Sequence, residues 1–122
     1  MRWINALLSC TDTAAVATAC FHAGDFPVAE DALLESALVE CVAQTVAAAL
    51  GRRAQAQNPF DRKATGVLAA VSNFRVESRP PLGKTLQIEV RELKRFGPML
   101  LVAGVISCEG RLIASGELTL NA

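Results

Sequence analysis

From Leu33 to Leu50 the chain is apolar with helical spacing: Leu34, Leu38, Cys41, Val42 and Thr45 fall at i, i+4, i+7, i+8 and i+11. The pattern predicts a helix running to about Leu50, with Gly51 as its stop. Glu30 and Asp31 are two acids suited to its positive end. Between Glu40 and Arg52 the segment carries no charge, and a helix apolar nearly all round is normally wrapped by other elements. Glu40 reads as an acid on the buried side, with Gln44 one turn later. A carboxylate there is costly unless it is hydrogen-bonded, protonated or put to chemical use. The pattern therefore singles out Glu40.

The rest of the chain reads as strands. Trp3 to Ser9 and Thr13 to Phe21 are apolar runs around the polar turn Cys10-Thr11-Asp12, which predicts a hairpin. His22-Ala23-Gly24-Asp25-Phe26-Pro27 reads as a loop, and Arg52 to Lys63, with Asn58-Pro59 inside it, as an exposed loop. Gly66 to Val76 is a strand. Leu86, Ile88 and Val90 alternate with Gln87, Glu89 and Arg91, the period of a half-buried strand. Phe96-Gly97-Pro98 turns the chain, and Met99 to Ile106 is continuously apolar, as in a strand covered on both faces. Glu109-Gly110 is a hairpin signal. The last strand alternates Leu112, Ala114, Gly116, Leu118 and Leu120 against Ile113, Ser115, Glu117 and Thr119. Two strands, one long helix and four strands make an α+β chain. Its economical packing is an antiparallel sheet of about six strands wrapped around the helix.

Composition narrows the picture. A chain of 122 residues suits a single domain, 1–122. Its 52% hydrophobic content and mean hydropathy of +0.32 predict burial on more than one side, as in an oligomer. Twelve basic and twelve acidic residues cancel, which argues against a nucleic-acid binder and leaves little charge to resist association. The apolar run Met99 to Cys108 is too short to cross a bilayer. The N-terminus shows no secretion signal, so a cytoplasmic protein without a membrane partner is expected. Cys10, Cys20, Cys41 and Cys108 are widely spaced, with no C-x-x-C, and there is one histidine. They read as free thiols in a reducing compartment, with no metal site and no cofactor.

The order of elements, with the residues they carry, resembles the hotdog fold. Nearly the whole chain is similar to the 3-hydroxyacyl-thioester dehydratases that act on acyl carrier protein. Glu40-Cys41-Val42-Ala43-Gln44 is similar to the family's E-x-x-A-Q helix motif. Asn73-Phe74-Arg75-Val76 and Arg79-Pro80-Pro81-Leu82-Gly83-Lys84-Thr85-Leu86 resemble its R-F-x-x-P-V-x-P-G-D-x-L segment. Gly110-Arg111-Leu112-Ile113-Ala114 resembles the G-x-x-V-A of its closing hairpin. Where common members carry G-H-F-P, with the histidine as base, this chain has Gly24-Asp25-Phe26-Pro27. The aryl-polyene-type branch keeps its histidine further upstream in a pattern similar to H-x-D-P, which His22 to Pro27 resembles. One alignment loses the base and the other makes it His22.

The resemblance implies removal of water from a 3-hydroxyacyl thioester to give an enoyl thioester, in fatty-acid or polyene/polyketide-like synthesis. It implies His22 as base, Glu40 as acid or water-orienting group, and Gln44 as a residue that orients Glu40 or a nearby loop. Backbone N–H groups around Ala32, Leu33 and Leu34, at the expected helix start, would hold the thioester oxygen, and Gly66 is a candidate substrate-binding position or simply one that permits close backbone packing. The implied partners are an acyl carrier protein or CoA thioester and a second copy of the chain, His from one protomer facing Glu from the other. Two alternatives stay open. One is an acyl-thioesterase in which Asp25 or Glu40 activates water, and the other a non-catalytic acyl-binding subunit that has lost its base. Arg52, Arg53, Arg62, Lys63, Lys94 and Arg95 form local basic patches, read either as solvated loops or as a landing surface for an acidic carrier.

Overall fold

The computed structural model describes residues 3–25, 28–29, 32–33, 35–57 and 67–121. Strands β1 (Ile4–Cys10) and β2 (Ala14–Ala19) form the expected hairpin. Two-residue strands β3 (Val28–Ala29) and β4 (Ala32–Leu33) pair with each other. Helix α1 (Glu35–Gln57) follows, then β5 (Val67–Val76), β6 (Leu86–Phe96), β7 (Met99–Cys108) and β8 (Arg111–Asn121). The six long strands make one antiparallel sheet in the order β1-β2-β6-β7-β8-β5. Helix α1 packs against all six, as the apolar pattern required.

The core lies between the helix and one sheet face. Leu38, Cys41, Val42 and Thr45 are buried as the periodicity predicts, against Leu86, Ile88, Leu100, Ile106, Leu118 and Leu120. Each large aliphatic side chain buried there contributes roughly 1.5–3 kcal/mol. Thr45 is tolerated because its hydroxyl donates to the Cys41 carbonyl at 2.8 Å. Glu109 (φ 52°) and Gly110 (φ 79°) take the two left-handed positions of a tight hairpin turn, as that dipeptide signalled.

Several boundaries differ from the sequence expectation. The helix begins at Glu35, not Leu33: Ala32 and Leu33 are extended and paired with Ala29 and Val28. The first-turn acid is consequently Glu35, while Glu30 and Asp31 lie outside the described residues. The helix also passes Gly51 and ends at Gln57. Gly51 does not take the positive φ of a stop, and Arg52-Arg53-Ala54-Gln55-Ala56-Gln57 is rich in helix formers. Arg52 and Arg53 are therefore helical, not loop residues. Gly66, Arg62 and Lys63 lie outside the described residues. In β8 Ala114, Leu118 and Leu120 are buried as the alternation predicts, but a register shift opposite Ile106 and Ser107 exchanges the places of Leu112 and Ile113. Ile113 is buried at 1% exposure and Leu112 turned out at 42%, which is the local effect of a bulge. Strand β7 buries one face fully, whereas Met99, Leu101 and Ala103 on the other are only half-buried and Val105 is exposed.

One glycine permits the close approach of helix to sheet. A Cβ on Gly104 would lie 2.6 Å from Val42 Cγ1 and 3.0 Å from Cγ2. Val42 is β-branched and fully buried, so it has little rotamer freedom to retreat. Gly104→Ala should lower unfolding free energy by about 1–3 kcal/mol through overpacking. Urea denaturation checks this, and adding Val42→Ala should recover part of the loss.

Candidate functional site

The helix carries two polar side chains on one flank. Leu38, Cys41, Val42, Thr45 and Val46 occupy the sheet-facing arc. Glu40 and Gln44, one turn apart, lie beside that arc and are half-buried. Glu40 is thus neither in the core, as the sequence reading placed it, nor in open solvent. The Gln44 side-chain amide donates to Glu40 Oε1 at 3.4 Å. Its carbonyl oxygen accepts the backbone N–H of Trp3 at 2.6 Å and of Ile4 at 3.2 Å. One side chain therefore holds the start of β1 to the helix and also touches the acid.

Trp3 continues the chain of contacts. Its ring meets Phe21 edge to face, with centroids 6.1 Å apart and planes at 78°, a favourable aromatic geometry. His22 follows Phe21 directly. It is exposed and opens a turn closed by two hydrogen bonds. The His22 N–H donates to Asp25 Oδ2 at 2.8 Å, and the Asp25 N–H to the His22 carbonyl at 3.1 Å. Asp25 is accordingly a turn residue. The Gly83 N–H donates to the Phe21 carbonyl at 2.7 Å, tying this segment to the loop before β6. Cys20 Sγ lies 3.9 Å from His22 Nε2.

Within one chain the structure therefore brings His22 and Glu40 to opposite ends of one contact chain, through Phe21, Trp3 and Gln44. Among the described residues no hydrogen bond joins them directly. Ala32 and Leu33 precede the helix, and Gly66 is outside the described residues. Sequence reasoning missed Trp3 and Cys20. The two-residue spacing of Cys20 and His22 was a faint signal, but the Trp3–Gln44 contact spans 41 positions and leaves no local trace.

A cleft of about 390 Å³ opens where α1 starts and β5 ends, lined by Glu35, Leu38, Val76, Glu77, Ser78, Arg79 and Pro80. Arg111 reaches toward it, donating from Nε to Ser78 Oγ at 3.2 Å. Of the basic residues noted in the sequence, Arg95 pairs with Glu92 at 3.0 Å and Lys94 lies 4.6 Å above the Phe96 ring. Both fit a solvated surface. Among the described residues no cluster of His, Cys, Asp and Glu could hold a metal ion, and no helix is long and apolar enough to cross a membrane.

The sequence matches the profile of the ApeP-like family, described as ApeP dehydratase, over residues 1–121. The chain belongs to the ApeP-like dehydratase family. The dehydratase heterocomplex ApeI:P from Xenorhabdus doucetiae has a similar structure, with a TM-score of 0.84 at 17% identity, covering 98% of this chain and 82% of that one. A hypothetical thioesterase from Streptococcus pneumoniae, solved with coenzyme A, matches with a TM-score of 0.71 at 16% identity over 94% of this chain and 82% of its own. Thioesterase superfamily member 2 from Mus musculus matches with a TM-score of 0.70 at 17% identity over 93% and 78%. A comparison with curated proteins found no match. At these identities the solved structures establish the hotdog fold, and the profile establishes the family.

Among the four cysteines, which are all free, Cys41 and Cys108 are buried while Cys10 and Cys20 are half-buried. Burial, with a smaller contribution from the neighbouring Glu40 carboxylate, pushes the Cys41 thiol up to about 12 from 9.0. The neutral thiol is favoured in the folded state, so its contribution to stability is complete below about pH 9. As pH rises further, the unfolded chain ionises first and that contribution is lost by about pH 12. Urea midpoints measured across this interval should fall, and should fall less steeply in Cys41→Ala.

Proposed function

We propose that this ApeP-like chain is a 3-hydroxyacyl-thioester dehydratase with Glu40 as its acid and His22 as its base. The single observation that carries the reading is the Gln44 link. A half-buried carboxylate on the helix has one oxygen held by the Gln44 amide. Its second oxygen has no partner among the described residues. Elimination of water needs one proton taken from C2 and one given to the departing 3-hydroxyl. Imidazole suits the first because it ordinarily titrates near neutrality. A carboxyl group oriented by Gln44 suits the second. Both groups leave the reaction as they entered it once the proton on His22 returns to solvent and Glu40 is reprotonated, so no cofactor is needed. The substrate class is an acyl thioester on carrier protein or CoA, in fatty-acid or polyene-type synthesis. The thioesterase alternative with Asp25 activating water is weaker because Asp25 Oδ2 is engaged by the His22 backbone.

The site is proposed to be completed by a second hotdog chain. In the single chain His22 and Glu40 do not hydrogen-bond, and the half-buried positions of α1 near Glu40 are aliphatic, Val39, Ala47 and Leu50. Strand β5 is a sheet edge ten residues long. It exposes Val71 at 43% and Val76 at 39%, and an edge of that kind invites pairing. A second copy is the simplest occupant. The Xenorhabdus doucetiae neighbour is a heterocomplex, which makes a different dehydratase subunit the other candidate.

Two experiments follow. Hydration of a crotonyl thioester, followed by loss of enoyl absorbance, should fall by roughly 10²–10⁴-fold in His22→Ala and in Glu40→Gln, with the fold retained by circular dichroism. Unchanged activity in both would reject the assigned roles, and release of free thiol instead would favour the thioesterase. Light scattering should give a dimeric mass for the chain alone, and Val71→Lys should shift it toward the monomer while the chain stays folded. A monomer that becomes active only with another hotdog subunit would identify the heteromeric alternative.

A further inference from the structure

His22 touches the protein along one edge of its ring. Nε2 lies 3.9 Å from Cys20 Sγ. Its bonded neighbour Cδ2 lies 4.0 Å from the point where a Cβ on Gly83 would sit. Cys20 and Gly83 belong to different segments, the end of the β2 segment and the loop before β6. Both lie on the Cδ2–Nε2 side of the ring, and among the described residues no hydrogen bond engages Nδ1. The backbone at this point is itself held, by the Asp25 carboxylate on the His22 N–H and by the Gly83 N–H on the Phe21 carbonyl.

We propose that Cys20 is a positioning residue for His22, holding Nε2–H against its sulfur so that Nδ1 is the nitrogen offered to the substrate. The inference rests on the reading of His22 as the base. A neutral imidazole has one N–H and one lone pair. A base needs the lone pair on the nitrogen that meets the C2 proton. Sulfur is a weak acceptor, sufficient to bias the tautomer without locking the ring. When Nδ1 takes the proton, Nε2–H keeps its contact with sulfur, so the ring does not have to turn during the step. Among the described residues the charged and titratable groups around His22 are few. Asp25 contacts its backbone, Cys20 its ring, and Lys84, next to Gly83, is paired with Glu109 at 3.4 Å.

The chain has one histidine, so imidazole ¹⁵N resonances report His22 alone in the intact protein. The wild type above its titration midpoint should be the Nε2–H tautomer. Cys20→Ala should move the tautomer ratio by about two- to fivefold, the size of a weak hydrogen bond. It should displace the midpoint of the pH–rate profile for crotonyl-thioester hydration and lower kcat more than it raises KM. Cys20→Ser, which keeps a polar atom at that place, should restore most of the wild-type ratio. An Nδ1–H tautomer in the wild type would overturn the proposal, as would a Cys20→Ala protein with unchanged tautomer and pH profile. Should His22→Ala retain full hydration, the base reading fails instead, while the resonances still decide whether Cys20 orients the ring.

Discussion

The structure depends on burying one helix against one face of a sheet. Leu38, Cys41, Val42, Thr45 and Val46 turn toward the strands, and the apolar surface they remove from water is the main favourable term holding the two layers together. That burial sets the rest. It requires a strand position without a side chain, Gly104, where Val42 comes closest. Glu40 and Gln44 lie off the sheet-facing arc and are half-buried, at the border between core and solvent.

The border position is what fits the two residues to the proposed chemistry. A carboxylate in the core would need full compensation for lost hydration, and one in open water would be a screened surface charge. At the flank Glu40 is partly desolvated and has a neutral donor from Gln44. The same Gln44 accepts two backbone N–H groups from the start of β1. The first strand is thereby tethered to the helix turn that carries the acid. Trp3 then passes the constraint to Phe21, next to His22. Position of the site and integrity of the sheet edge are carried by the same few contacts.

The apolar excess has a matching place in the structure. Val71 and Val76 on the edge strand β5 are exposed, and Val39, Ala47 and Leu50 on α1 are half-buried within one chain. A surface of this kind, on a chain whose charges cancel, is what the proposed pairing with a second hotdog chain would cover. That view agrees with membership of a dehydratase family one of whose structural neighbours is a heterocomplex.

Local pattern alone determined the order of the helix and the six long strands, the α+β class, the buried face of the helix and the tight turn at Glu109-Gly110. These follow from side-chain periodicity and backbone preference, which act over a few residues. The polar spacing of Glu40 and Gln44 was legible for the same reason, and the family resemblance made His22 a candidate. Tertiary structure decided the rest. The helix ran past Gly51 because nothing there demanded a left-handed residue. Ala32 and Leu33 became a strand pair because β3 was at hand to bond them. Ile113 displaced Leu112 from the core because a register shift at the start of β8 broke the alternation there, while Ala114, Leu118 and Leu120 kept it. The contacts of Gln44 with Trp3, and the seating of the His22 ring between Cys20 and Gly83, join residues distant in sequence or brought together by loops. No periodicity encodes such contacts, because they form only once the sheet has closed over the helix.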